Sequence, residues 1–228
     1  AWGYARACSD MGMDIIQKCE VTGVRQTGGK VTGVSTTRGD IDCDKLGIVV
    51  AGHSGQLANM AGFRLPIESV ALQALVSEPV KPCMDVVVMA NTVHGYMSQS
   101  DKGEMVIGGG TDGHNNYTQR GSFHHIEETV RALVETFPMI SRLKMLRQWG
   151  GIVDVTGDRS PILSKTPVEG VFINGGWGTG GFKAIPGSGW GFAELMAKGQ
   201  SPLTQAFGLE RFAEGRFIDE SVAAGVAH

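Results

Sequence analysis

The 228-residue chain carries 34 glycines, about 15% and roughly twice ordinary usage, with 42% hydrophobic and 19% charged residues. That balance excludes a disordered chain, and the absence of a three-residue glycine period excludes collagen. A net charge of −3 without a lysine or arginine run argues against nucleic acid, no apolar stretch reaches the roughly 18 residues of a membrane helix, and four scattered cysteines (Cys8, Cys19, Cys43, Cys83) fit reduced thiols in a cytosolic protein rather than a metal site.

Ala1–Met13 reads as a helix with Trp2, Ala5, Ala7, Cys8 and Met11 near one face. It starts at once, with neither a signal peptide nor an N-cap, as if cut within a longer helix. Asp14–Val21 alternates like a strand, Gln26-Thr27-Gly28-Gly29 is a turn, Lys30–Thr37 returns, and Asp40–Cys43 is a third short strand. Leu46–Ala51 is an unbroken apolar run, the mark of a strand buried on both faces, and a helix follows over Gln56–Ala61. Ile67–Val80, Asp85–Ala90, His94–Gln99 and Glu104–Gly109 read as strands of an antiparallel sheet, with Asp101-Lys102-Gly103 as a hairpin turn. Ser122 is placed to cap a helix over Phe123–Phe137. Met145–Val155 and Val171–Asn174 are strands, and Pro186–Ala197 is a helix after a glycine-rich loop. The mixed–antiparallel–mixed order implies two domains, the first interrupted by the second: residues 1–62, then 63–148, then a return over 149–228.

The segment Asn174-Gly175-Gly176-Trp177-Gly178-Thr179-Gly180-Gly181-Phe182-Lys183 is the strongest chemical signal, with five glycines in the seven residues 175–181. Such backbone approaches a ligand closely, and its N–H groups ahead of a helix suit an anionic or electron-rich group, with Lys183 adding a point charge. It is not the dinucleotide fingerprint, since no acidic residue follows at the required spacing. A buried strand ending in Ala51-Gly52 and the strand Met105–Gly110 are weaker candidates for passing a cofactor; an ordinary turn and a bulged strand end are the alternatives. The histidines form no metal set, His124-His125 reads as surface, and Asp154, Asp158 and Arg159 read as structural ion-pairing in a turn.

Gly-Trp-Gly-Thr-Gly-Gly-Phe-Lys, with Asp158-Arg159-Ser160-Pro161, Thr166–Gly170, Met60–Ile67 and Leu72–Glu78, closely resembles the beta subunits of heterotetrameric sarcosine oxidases over essentially the whole chain. These belong to the amine-oxidising FAD-dependent oxidoreductases, similar to D-amino acid oxidase. The resemblance implies an α+β and α/β fold: part of a dinucleotide-type FAD-binding domain interrupted by an antiparallel-sheet substrate domain, with the N-terminal Rossmann section missing. It implies oxidative demethylation of sarcosine to glycine in the cytoplasm, with noncovalent FAD as electron acceptor. A covalent FMN at the alpha-subunit interface passes electrons to oxygen, and the histidine that links it should lie upstream of Ala1. The partners implied are an N-methyl amino acid and the alpha and other subunits, with neither nucleic acid nor membrane.

By resemblance Lys183 pairs with the substrate carboxylate near the flavin, and Gly178, Gly180 and Gly181 bring backbone to FAD. Val21 serves the adenine, and Ala51 and Gly52 the dinucleotide. Tyr96 is the substrate-facing aromatic, with His94 as its rival on the strand, and Arg147 faces the FMN. Glycine at Gly151, where monomeric relatives carry a flavin-linking cysteine, agrees with noncovalent FAD. Val106 and Gly110, where they carry lysine and histidine, imply that oxygen reacts elsewhere. Read as a C-terminal fragment, residues 1–228 alone are expected to lack bound FAD and to expose the apolar edge Leu46–Val50. A dimethylglycine-type oxidoreductase and a noncatalytic assembly module are the alternatives.

Overall fold

A computed structural model describes residues 1–90 and 95–218. The element order is α1 (Trp2–Asp10), β1 (Val21–Thr27), β2 (Lys30–Thr36), β3 (Gly39–Asp42), β4 (Leu46–Ile48), α2 (Ser54–Met60), β5 (Ile67–Pro79), β6 (Val88–Ala90), β7 (Gly95–Gln99), β8 (Glu104–Thr111), α3 (Phe123–Thr136), β9 (Met145–Thr156), β10 (Ile162–Lys165), β11 (Val171–Gly175), α4 (Gly181–Lys198) and α5 (Glu210–Ala213). The expected mixture of an antiparallel sheet with α/β pieces is present.

The strands form three sheets. β1-β2-β3 is an antiparallel meander, β10-β11-β4 is mixed, and β6-β7-β8-β5-β9 is a five-stranded antiparallel sheet. The first hairpin shows how a turn sets register. Gly28 and Gly29 both take positive φ (60° and 80°), as a two-residue I′ turn requires, and this locks Thr27 opposite Lys30. The partner of β2 is therefore Val21–Thr27, and Asp14–Glu20, with its alternating pattern, stays outside the sheet. Alternation was the weaker signal because a strand exists only where a partner's hydrogen bonds meet it.

The large sheet buries one face. Leu75, Met97, Met105 and Ile107 pack against Leu133 of α3 and Ile140 behind it. Ser122 does not cap α3 with its side chain. Its hydroxyl instead accepts from Gln73 Nε2 at 3.2 Å and its N–H donates to Gln73 Oε1 at 2.8 Å, because a buried glutamine on β5 has amide groups to satisfy. A second core, of Val31, Ile48, Ile162, Val168, Val171 and Ile173, joins the meander to the mixed sheet.

Two further expectations are corrected. β4 spans only Leu46–Ile48 and pairs only with β11, so Ile48 is buried while Val49 is 58% exposed. It is an edge strand rather than one buried on both faces. α4 begins at Gly181, five residues before Pro186, which lies inside the helix. At the sixth helical position proline lies past the first turn, so it removes the N–H bond that would reach the Phe182 carbonyl, and the helix continues through it. The glycine loop therefore runs straight into helical N–H groups.

Candidate functional site

The open face of the large sheet follows from its register. Tyr96 is opposite Gly108, Gly108 opposite Ala74, and Ala74 opposite Trp149, so these four form one cross-strand row. Ser98, Val106, Val76 and Arg147 form the next row on the same face. Leu72 and Gly151 share it too, and a Cβ added at Gly151 would meet nothing within 4 Å. Arg147, Trp149 and Gly151 are exposed. Tyr96 lies half-buried over Gly108, where an added Cβ would fall 2.3 Å from its phenol oxygen. Burial raises the Tyr96 pKa above the ordinary phenol value. Gly108→Ala is expected to displace the Tyr96 ring and lower that pKa, which ultraviolet titration of the phenol would register. His94 lies outside the described residues.

β9 joins this face to the glycine loop. Three residues beyond Gly151, the Asp154 carbonyl accepts from Gly178 N–H at 2.8 Å. The Asp154 carboxyl, 3% exposed, accepts from Gly176 N–H at 2.5 Å, and the N–H groups of Asp154 itself, Trp177 and Gly178 lie close enough to favour its charged form. Burial pushes its pKa up, and these donors offset part of the rise. Gly176 and Gly178 take φ of 75° and 52°, which costs little only at glycine. Trp177 Nε1–H donates to Asn174 Oδ1 at 2.7 Å, and its Cβ lies 3.1 Å from a Cβ added at Gly181. The N-cap of α4 is Gly180, which has no side chain of its own to offer the first-turn N–H groups. Lys183 is the third residue of that helix and exposed.

The Ala51–His53 turn docks beside the same strand end. Ala51 holds φ of 46°, unusual for a residue with a side chain. Ser69 Oγ–H donates to the Gly52 carbonyl at 2.6 Å, and Ser54 Oγ–H to the Ala51 carbonyl at 2.7 Å. A Cβ at Gly52 would lie 2.3 Å from Ile152 Cγ2 and 2.9 Å from the Ile152 carbonyl oxygen. Gly52→Ala is therefore expected to cost about 1–3 kcal/mol, measured by denaturant unfolding; an unchanged midpoint would show that β9 yields freely.

The structure thus sets Gly52 against Ile152 and Gly178 against Asp154 at the end of β9, with Ala51 next to Gly52 in its turn and Gly180, Gly181 and Lys183 following Gly178 into the start of α4. Tyr96 and Arg147 stand on the open face, Tyr96 three strands from β9, or about 14 Å at ordinary strand spacing. Val21 stands apart at the start of β1 in the meander. Asp154 was not singled out as a loop anchor, since in sequence it looks like one acid in an Asp-rich turn. Asp158 takes the ion pair, with Arg211 rather than Arg159. His125 is not surface: its Nε2 lies 3.0 Å from Asp112 Oδ1, beside a cavity of about 460 Å³ on the α3 side of the sheet.

The chemistry of this set fits one side of a flavin. Backbone N–H groups at a helix start with a glycine N-cap, glycines without Cβ, an open Gly151 and a lysine suit an electron-rich ring edge and a carboxylate. Among the described residues no group of histidine, cysteine or acidic side chains could hold a metal, no helix is long and apolar enough to cross a membrane, and all four cysteines are free.

Comparison with known proteins agrees. The chain is 80% identical over its whole length to "Sarcosine oxidase subunit beta" of Rhodobacter capsulatus, covering 55% of that protein, and 54% identical to the subunit of the same name from Arthrobacter sp., covering 56%. It therefore spans about half the length of the relatives it matches. Among solved structures, L-proline dehydrogenase from P. horikoshii superposes with a TM-score of 0.85 at 24% identity, over 94% of this chain and 59% of that one. Glycine oxidase from Geobacillus kaustophilus gives 0.78 at 20% identity, over 91% and 56%; likenesses at such identity speak for the fold alone. The family profile described as FAD dependent oxidoreductase covers residues 1–195, and the chain belongs to that family.

Proposed function

We propose that the chain is the substrate-binding portion of the beta subunit of a sarcosine oxidase, which oxidises the N-methyl group of sarcosine and releases glycine. The observation that carries this reading is the glycine loop leading into the glycine N-cap of α4, with Lys183 in its first turn, in a chain 80% identical to a subunit so named. Residues 1–62 and 149–228 form the FAD-binding part and 63–148 the substrate part.

Lys183 pairs its ammonium with the substrate carboxylate and fixes which end of the molecule enters. The first-turn N–H groups of α4, with Gly178, Gly180 and Gly181, lie against the electron-rich edge of the flavin and favour negative charge there. Ala51 and Gly52 meet the dinucleotide, and Val21 the adenine. Tyr96, over Gly108, walls the substrate side and keeps water from the reacting methyl group. FAD, held noncovalently, supplies the acceptor for the two electrons that leave the methyl C–H bond. Water then adds to the resulting imine, giving glycine and formaldehyde. Arg147, exposed on the open face beside Trp149, is the residue offered to an interfacial FMN. The attachment histidine of that FMN lies outside this chain, and the alpha and other subunits of a cytoplasmic heterotetramer complete the interface.

Anaerobic mixing of the holoenzyme with sarcosine is expected to bleach the flavin absorbance, and glycine at the same concentration to leave it unchanged. Bleaching by primary amino acids but not by sarcosine would overturn the substrate assignment.

A further inference from the structure

We propose that the Asp154 carboxylate is a positioning residue for substrate binding: it holds the Gly176–Gly178 backbone, and through it the first turn of α4 and Lys183, in register with the end of β9. The proposal rests on the reading of Lys183 as the carboxylate anchor.

Asp154 is 3% exposed and sits in β9, where the sheet would ordinarily carry an apolar side chain. Removing a carboxylate from water is costly unless donors surround it. Here the carboxylate accepts from Gly176 N–H at 2.5 Å, and the main-chain carbonyl of the same residue accepts from Gly178 N–H at 2.8 Å. The contact is mutual. Without the carboxylate, the buried Gly176 N–H would lose its acceptor, and the segment contains Gly176 and Gly178, the residues with least conformational preference of their own.

The rest of the loop's order is consistent with one fixed position. Side chain and backbone of Asp154 thus grip two residues of the loop, Gly176 and Gly178. A Cβ added at Gly175 would lie 3.3 Å from Asp154 Oδ2 and 3.0 Å from Ser54 Oγ, so the loop passes closely between β9 and α2. Trp177, tied to Asn174 and packed under Gly181, carries that placement into the start of α4. From Gly178 only four residues remain before Lys183. A lysine on a flexible stem selects a carboxylate only if its Cα is held, so the loop anchor sets how much binding the ammonium delivers.

The test compares Asp154→Asn, Asp154→Thr and Lys183→Ala in the complete holoenzyme. Each is assayed for flavin content, for thermal midpoint, for perturbation of the flavin spectrum by acetate, and for KM and kcat with sarcosine. Asparagine keeps the shape but offers an NH2 to donors, and threonine suits a strand and keeps one oxygen. The expected result for both Asp154 variants is retained FAD and acetate binding weakened about tenfold to a hundredfold, with KM rising by a larger factor than kcat falls. A merely structural role would instead lower the thermal midpoint and flavin content without that split. That outcome, or failure of both variants to fold, would overturn the proposal. If Lys183→Ala weakens acetate binding and the Asp154 variants do not, the proposal alone falls. If Lys183→Ala binds acetate like the wild type, the anchor reading falls first and the proposal with it.

Discussion

Replacing Lys183 with alanine in the holoenzyme is expected to lower kcat/KM for sarcosine by about a hundredfold to a thousandfold while FAD stays bound. The magnitude is that of one charge-assisted contact to a carboxylate in a site shielded from water, about 2.7–4 kcal/mol. FAD is expected to stay because Lys183 is one side chain among many backbone contacts, and the N–H groups of α4 remain when it is cut back. Steady-state kinetics together with the flavin spectrum check both halves. Unchanged constants would remove Lys183 from the site, and loss of the flavin would make it a cofactor residue rather than a substrate anchor. Lys183→Arg is a sharper probe of geometry. It keeps the charge but replaces a compact ammonium with a planar fork, so only partial recovery is expected if the anchor must fit beside the ring.

The parts of this site legible in the sequence were those that local chemistry dictates. The glycine excess is not spread evenly: twelve of the 34 lie between Gly150 and Gly191, and the structure places the densest run, Gly175–Gly181, at the junction of β11, β9 and α4. The strands of the large sheet were readable because each is bounded by turn residues, as at Asp101–Gly103, where Gly103 takes φ of 99°. What escaped was set by partners distant in sequence. The start of α4 at Gly181 was hidden by Pro186, which reads as a first helical position because proline is favoured there and disfavoured further in. The start of β1 depended on the I′ turn. The shortness of β4 depended on which strands lie beside it. Asp154 could have been noticed from one feature: a lone acid at the alternation position that Gly150 and Ile152 share, aimed at the same side of β9.

Asp112 and His125 teach the same lesson. Neither the His124-His125 pair nor Gly110-Thr111-Asp112 identifies the other, 13 residues apart in sequence. The bulge in β8, where Leu72 faces Thr111 and Ala74 faces Gly108, brings Gly110 to within 3.6 Å of His125 Nδ1 for an added Cβ. Asp112 Oδ1 then takes hydrogen bonds from Gln73 Nε2 at 3.1 Å and lies 3.0 Å from His125 Nε2. A polar network of this kind is specified by the fold and not by any local pattern.

Arg211→Met is expected to destabilise the protein by about 3–5 kcal/mol, the range for stranding one member of a buried ion pair. The side chains are 3% and 1% exposed in Arg211 and Asp158. Arg211 Nε donates to Asp158 Oδ2 at 2.7 Å, its Nη2 to Asp158 Oδ1 at 3.0 Å and to the Ser160 carbonyl at 2.9 Å, and its Nη1 to the Gly208 carbonyl. The guanidinium carbon also lies 4.2 Å from the Phe212 ring centre. The pair joins the turn after β9 to α5, and Asp158 Oδ2 reaches on to Ile218 N–H. Burial alone would raise the Asp158 pKa, but Arg211 and the N–H groups of Ile218 and Ser160 outweigh it and hold the carboxyl below its ordinary value of 3.8. A folded pKa below the unfolded one contributes stability that is present above the unfolded value and is lost as pH falls through the folded value. Urea titrations at neutral pH and near pH 3 should therefore show the difference between wild type and Arg211→Met narrowing in acid. A difference that stays constant would mean that Asp158 is not the partner whose ionisation matters. Replacing both residues, as Asp158→Leu with Arg211→Met, is expected to recover part of the loss and not all of it. The charge is no longer stranded, but the N–H groups of Ser160 and Ile218 then lack their acceptor.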